Sequence, residues 1–382
     1  MTIHHGIKHT AQNTASRPIQ TPSSAVIGLV ATSHDADADY FPADRPVLVT
    51  NIRAAIAKAG TAGTLKKSLE AIADQTDPVL VVVRVPDTSI APADDADIVG
   101  GTDVNGDLTG IQAFLVAETL LGVRPKILGA PGFSGATVTN ALATVGEKLR
   151  AFVYAKLSAA TIAAAVVAEG GFAQANLMPI WPDWTGFDGR AVATALGLRA
   201  KLDAEYGFVH KSLSNVAVNN ISGIDKDITF NISGVGTDAA TLNNANITTL
   251  IRRSGFRFWG NRTCSENTLL AFEVAVRTNY AIQDMIDESQ ATYIDTPMTI
   301  PTIKAILSGL NAKGRSMVSA GKIIGIEFWF DGALNPSADL AAGKAKISCK
   351  FTPVAPLESL EMLPEITTEY YLNFGRSLVQ TA

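Results

Sequence analysis

The sequence predicts a mixed fold: an α/β domain over residues 23–206, a β-rich connector over 207–240, an α+β domain over 241–365, and extended arms at 1–22 and 366–382. Three observations carry this. Between Ser24 and Tyr206, β-branched runs alternate with helical periodicity across turns containing Gly, Pro and Asp, the pattern of a largely parallel sheet covered by helices. After residue 206 that rhythm stops, and a hairpin, two helices and alternating strands follow. At both ends the chain has a composition or a periodicity that cannot form a core of its own.

In order, Thr10–Pro22 is rich in Thr, Ser, Gln, Asn and Pro, so 1–22 reads as an extended arm or a disordered leader. The two readings differ in whether a partner supplies strand neighbours. Ala25–Val30 and Pro46–Thr50 are strand-like. Asn51 is placed to cap a helix over Ile52–Ala59 that Gly60 ends, and Thr64 to cap a second through Ala73. Pro78–Val85 is continuous and β-branched, which marks a strand buried on both faces. Pro86–Asp107 carries aspartates and no Lys or Arg and reads as a solvated loop. Helices are expected over 111–121, 137–149, 161–168 and 190–206, with strands over 126–130, 152–157 and 176–181. In the connector, 215–220 and 227–233 nearly alternate, so strands are expected there.

Leu242–Thr263 begins as an asparagine-rich turn and reads as a hairpin, with strands at Ile247–Ile251 and Phe256–Trp259 around Ser254–Gly255. No acidic residue lies between Asp238 and Glu266, yet Arg252, Arg253, Arg257 and Arg262 fall there beside Phe256, Phe258 and Trp259. Both a contact surface and a core hairpin with distant carboxylate partners fit this pattern. One long helix is expected over 267–290 and a second over Thr302–Lys313, ended by Gly314. Strands follow at 323–330 and 344–352. Over Ile366–Phe374, Tyr370, Leu372 and Phe374 alternate with polar or aromatic neighbours, which is period two at the extreme terminus. A lone strand is not stable, so this tail must join a sheet edge, its own domain's or a neighbour's.

The bulk numbers narrow the class. A net charge of -5 on 382 residues argues against nucleic acid as the main partner. No apolar run has transmembrane length, and Met1–Gln20 lacks the apolar segment of a signal peptide. Cys264 and Cys349 are too few and too far apart for a disulfide framework or a structural zinc site; two buried free thiols are expected, one bridge between them being the other reading.

Catalytic patterns fail at named positions. In Gly132-Phe133-Ser134-Gly135-Ala136 the nucleophile elbow needs Gly where Ala136 stands, and His210 is the one histidine beyond position 34. The Gly60–Ser68 run lacks Gly directly before Lys and follows a helix rather than a strand, so it is not a phosphate loop. Asp35/Asp37/Asp39 and Asp103/Asn105/Asp107 echo calcium loops, but Tyr40 and Leu108 occupy the glycine position, and Pro46 and Phe114 the closing glutamate. His4, His5 and His9 sit on the unstructured arm. No cofactor or metal is expected.

The run Leu242-Asn243-Asn244-Ala245-Asn246-Ile247, then Gly255, then Trp259-Gly260-Asn261-Arg262-Thr263, resembles the tail sheath proteins of contractile phages and R-type tailocins; weaker similarity covers nearly the whole chain. The resemblance implies a structural subunit rather than an enzyme. Hexameric rings would stack helically around a tail tube, and contraction would drive the tube through the host envelope. The α/β domain would be outer and the α+β domain an inner assembly domain. Arms bearing Ile3, Ile7, Tyr370, Leu372 and Phe374 would extend sheets of neighbouring subunits. The hairpin would frame the receiving sheet, with some of Arg252, Arg253, Arg257 and Arg262 bridging subunits around Trp259. Partners would be further copies, the tube protein, and baseplate and terminator proteins, in a virion tail assembled in the host cytoplasm, with neither nucleic acid binding nor membrane insertion. Lys304, Lys313 and Arg315 are the expected tube-facing residues, a solvated helix end being the other reading. An α/β enzyme with an appended β domain is the alternative class; it needs polar groups converging at strand ends, which the sequence does not offer.

Overall fold

The computed structural model describes residues 23–87 and 93–371. Strands β1 (Ile27–Thr32) and β2 (Pro46–Val49) open the chain, followed by helices α1 (Ile52–Lys58) and α2 (Leu65–Ala73) and strand β3 (Leu80–Val85). Next come α3 (Asp95–Val99), α4 (Ala117–Leu121), β4 (Ile127–Gly129), α5 (Ala136–Leu149), β5 (Phe152–Lys156), α6 (Ile162–Glu169), β6 (Leu177–Ile180) and α7 (Arg190–Tyr206). The strands form one sheet in the order β2-β3-β1-β4-β5-β6, parallel except for β2 at its edge. Alternate residues of the central strands feed two cores. Ile27, Leu29, Leu80 and Val82 face α1, α2 and α7, whereas Val30, Val81, Val83 and Leu128 face α5 and the turn at 110–116.

The caps explain several boundaries. The Asn51 side chain accepts from Ala54 N, as expected for a helix start. Thr64 does not cap α2; its hydroxyl instead accepts from Thr32 N at 3.1 Å, tying the helix entry to the end of β1. The expected loop over 86–107 contains α3, whose Asp94 and Asp97 form a reciprocal capping box. The segment expected as one helix over 111–121 starts as a 3-10 turn, Gly110–Val116.

The connector departs most from expectation. Among the described residues, 207–237 holds no strand, only single bridges of Ala217 to Arg257 and Ile224 to Trp184. Polar side chains take the backbone groups a ladder would use: Asn219 N donates to Gln75 Oε1, and Gln75 Nε2 donates to Asn219 O. The asparagine-rich turn is the end of a helix, α8 (Asp238–Asn244), closed by Asn246 at φ 57°.

Beyond it lie β7 (Thr249–Arg252), β8 (Phe256–Trp259), α9 (Glu273–Gln290), α10 (Ile300–Ser319), β9 (Ile323–Phe330), α11 (Ser337–Ala341) and β10 (Ile347–Pro353). The helix expected from 267 begins at Glu273, after a short 3-10 turn at Thr268–Leu270. α10 runs straight through Gly314, where the sequence predicted an end. Gly314 is buried against β9, and a Cβ there would lie 2.6 Å from Ile326 Cγ2. The glycine is thus a packing residue. We expect Gly314→Ala to lower stability by about 1–3 kcal/mol despite its better helix propensity, read as a lower urea midpoint. An unchanged or raised midpoint would mean that β9 yields freely.

The second body has its own core: Phe208, Val209, Ile282, Met285, Leu310, Met317, Ile323 and Phe328. β10 pairs antiparallel with β9. α9 serves both bodies, since Val276 lies in the α/β core while Ile282 and Met285 lie in the second.

The C-terminal strand expected over 366–374 is not a strand in its described part. Residues 366–371 are irregular and end in a turn, with Ile366 fully exposed and Tyr370 80% exposed. Period two needs an edge, and among the described residues 366–371 pairs with none. Ile3, Ile7, Leu372 and Phe374 lie outside the described residues. Cys264 is buried, as expected, but Cys349 on β10 is exposed; both are free.

Candidate functional site

The hairpin forms as predicted. Leu250 opposes Phe258 and Arg252 opposes Phe256, and positive φ at Ser254 (48°) and Gly255 (100°) tightens the turn. Its location differs from expectation. Thr248 bridges Ile180, with Trp181 N donating to Thr248 O at 3.0 Å, so the hairpin continues from the far edge of the six-stranded sheet. Leu250 and Phe258 are buried in the α/β core, where Trp184 meets Phe256 and Phe258 edge-on at 5.7 and 5.6 Å. The boundary drawn at 240/241 therefore cuts through one core, because the apolar face of the hairpin has its partners in the first body.

The four arginines separate into two kinds. Arg257 donates from Nε to Arg253 O at 2.8 Å and from Nη1 to Asn215 O, so it braces its own turn. Arg262 grips Glu358 with both arms of its fork, at 2.8 and 2.6 Å, while its guanidinium lies 5.3 Å from the Phe272 ring centre. Arg252 stacks on Phe256 at 5.4 Å and is exposed, as is Arg253 at the tip. Trp259 packs edge-on against Phe230 at 5.0 Å.

Lys304 and Arg315 are exposed on α10, whereas Lys313 is half-buried. At 100° per residue, Lys304 and Arg315 share a face about 16 Å apart and Lys313 lies on the opposite side. Burial, and then the charge of Lys322, lowers the Lys313 pKa. The three expected tube-facing residues do not form one patch.

Two features escaped the sequence reading. One is a buried ion cluster. Arg199 Nη2 pairs with Asp203 at 2.8 Å and Arg199 Nη1 with Glu273 at 3.2 Å. Arg277 pairs with Asp203 at 2.5 Å, and the Tyr154 hydroxyl donates to Glu273. Burial works against a charged Arg277, yet Asp203 and its other anionic neighbours hold its pKa above the usual arginine value; burial, then Glu273, pushes Tyr154 well up. Arg277 also donates to Ser24 O at 3.3 Å, just ahead of β1. Farther along the same face of α9, Asp284 takes Lys126 at 2.5 Å and Arg150 at 3.2 Å. The i,i+4 pairs Arg199–Asp203 and Glu273–Arg277 are visible in the sequence, but their pairing with each other is not.

The second feature is the β9–β10 sheet edge. On the side of β9 away from β10, Phe328 N donates to Asn311 Oδ1 at 3.0 Å and Asn311 Nδ2 donates to Phe328 O at 2.8 Å. A side chain thus covers that edge at Phe328. The outer edge of β10, Ile347–Pro353, has no such partner among the described residues.

No group of three or more His, Cys, Asp or Glu residues among the described residues could hold a metal ion. At the C-terminal end of β4, where an α/β fold can bind ligands, the loops meet closely: a Cβ on Gly132 would lie 2.8 Å from Thr64, and one on Gly189 2.0 Å from Gly132 N. No helix of the described residues is long and apolar enough to cross a membrane.

Among the described residues, the β10 edge has no strand partner and residues 357–371 carry exposed apolar side chains, Leu360, Met362, Leu363 and Ile366 among them. Comparison with known proteins gives the family. Residues 105–264 match the phage tail sheath protein central domain, and 24–85 match the tail sheath protein Gp18 domain III N-terminal region. The chain is similar to the tail sheath protein of Escherichia phage P2, 44% identical over 98% of both chains, and to the major tail sheath protein of Serratia phage KSP20, 42% identical over 96% of both. It belongs to the contractile tail sheath protein family and is a structural protein, not an enzyme. Its fold matches the sheath of an extracellular contractile injection system in the contracted state, with TM-score 0.69 at 15% identity over 97% of this chain and 99% of that one. The contracted helical sheath of the anti-feeding prophage gives TM-score 0.70 at 15% identity, over 96% and 100%. The matched central domain ends just past the hairpin, which agrees with the hairpin packing on the first body.

Proposed function

We propose that this sheath subunit polymerises as stacked hexameric rings around a tail tube by strand exchange between neighbours, and that contraction of the stack drives the tube through the host envelope. The observation that carries this reading is that, among the described residues, the β10 edge has no strand partner while residues 360–370 expose apolar side chains in the same chain. An arm from a neighbour fits that edge by β-augmentation, and heterologous exchange of this kind builds a helix rather than a closed dimer. Receiving the arms then falls to β9–β10 rather than to the hairpin, which stands on the first body. The second body is read as inner and the α/β body as outer. Arms 1–22 and 366–382 reach neighbours, and baseplate and terminator proteins cap the stack, which is assembled in the host cytoplasm. The work of contraction comes from the difference between two packings of one fold.

Within this reading the tube-facing charges are Lys304 and Arg315, which share a face of α10. The test is co-expression with the tube protein and negative-stain microscopy of the parent and Lys304→Glu/Arg315→Glu. Striated sheaths on tubes are expected for the parent. For the variant we expect bare tubes and a folded monomer with an unchanged circular dichroism spectrum. Fully sheathed tubes from the variant would remove α10 from the tube interface, and a parent that never forms rings or tubes would remove the assembly reading itself.

A further inference from the structure

After Pro353 the chain leaves β10 and turns back across the first body. Val354–Glu358 forms one wall of a groove of about 390 Å³, faced by His210–Ser212, Ile247 and Trp259–Arg262. The Arg262–Glu358 pair closes this wall with a bidentate bond, and the Phe272 ring backs the guanidinium. Glu358, then opposed by burial, raises the Arg262 pKa. On both sides of Glu358 the apolar side chains are bare: Leu357 is 80% exposed, Leu360 72%, Met362 79%, Leu363 86% and Ile366 fully exposed. The Arg262–Glu358 pair therefore holds, at the end of the groove wall, a stretch that little apolar packing holds.

We infer that Arg262–Glu358 is a clasp that fixes where, and in which direction, the C-terminal arm leaves the subunit, and so sets the efficiency with which the arm reaches a second copy of this chain. The inference rests on the strand-exchange reading and adds a regulator to it. An arm tethered at the right point has a higher effective concentration at its neighbour's β10 edge than one swinging from Pro353. The pair is partly exposed, so added salt weakens it.

The experiment compares Glu358→Arg, Arg262→Glu and the double swap with the parent. Residues 262 and 358 are both partly exposed, so all variants are expected to fold. Two readouts are taken. In the monomer at low concentration, amide exchange of Asn215, Ile247 and Gly260, whose hydrogen-bonded N–H groups belong to the groove that 354–358 walls, should be about tenfold faster in each single reversal and return to the parent rate in the swap. In assembly, the critical concentration by sedimentation should rise roughly fivefold in each single reversal and recover in the swap. Exchange rates and critical concentrations equal to the parent's in the single reversals would overturn the clasp. So would a swap that restores neither. Deletion of 366–382 in parallel keeps the two ideas distinguishable. If that deletion polymerises normally, strand exchange by the C-terminal arm fails, and the exchange readout alone then decides whether the clasp exists. If the deletion blocks polymers while Glu358→Arg assembles like the parent, the clasp fails and strand exchange stands.

Discussion

Arg277→Ala is expected to lower the unfolding free energy by about 3–5 kcal/mol, the usual consequence of removing one partner from a buried ion pair. Arg277 is 3% exposed and reaches both oxygens of Asp203, with Glu273 3.9 Å away. The cluster holds two cations, Arg199 and Arg277, against two carboxylates, Asp203 and Glu273. Removing one cation leaves an uncompensated buried negative charge and also frees Ser24 O just ahead of β1. Arg277→Lys keeps the charge but not the fork, so a smaller loss of about 1–3 kcal/mol is expected. The sign of the pH dependence is fixed by the raised Arg277 pKa. Stability from a raised basic group is fully present below its unfolded value and is lost only as pH rises through the folded one. The arginine term is therefore constant through the acidic and neutral range, and the two variants should show the same deficit at pH 6 and pH 8. Urea unfolding followed by circular dichroism is the measurement. A loss under 1 kcal/mol in Arg277→Ala would mean that water reaches the cluster and replaces the guanidinium.

The α/β half was legible because its signals are local. Val81, Val83 and Val85 are buried on one face of β3 and Leu80 and Val82 on the other, and a strand covered on both sides reads directly as a continuous β-branched run. The Gly255 turn was readable for the same reason: the hairpin needs positive φ where the sequence supplies a glycine. Features that depend on distant partners were not. Gly314 reads as a helix end until β9 is laid across it, and the Arg262 and Glu358 side chains meet across 96 positions. Residues 215–220 carry strand periodicity, and Asn215 N and Val218 N do bond to Phe258 O and Phe256 O of β8, but the side chains of Gln75 and Asp74 take Asn219 and Asn220 and end the pairing there. At the proposed assembly site, the arms are legible only as segments unable to form a core of their own. The β10 edge depends on the pairing of β9 with β10 across the chain, which no local signal reports.

Deleting Ile366–Ala382 is expected to give a folded monomer that does not polymerise. The described part of the deleted segment contributes little to its own subunit: Ile366 is fully exposed and Tyr370 80% exposed, while both hydrophobic bodies and the Arg262–Glu358 clasp lie upstream. The thermal midpoint of the monomer should therefore move by no more than about 2 °C. Assembly has no such reserve. Adding a strand of five or so residues to an edge makes several ladder bonds, each worth about 0.5–1.5 kcal/mol net. Losing them raises the critical concentration more than about 100-fold, beyond what purified protein reaches. The β10 edge is intact in the truncated chain, so it remains a receptor. Adding the excised segment as a free peptide should protect the amides of Ile347–Pro353 from exchange without restoring polymers, because the peptide fills the edge but links it to no second subunit. Normal polymers from the truncated chain would refute the C-terminal arm as the link. Loss of polymers together with no peptide protection at 347–353 would keep the arm but move its receptor away from β10.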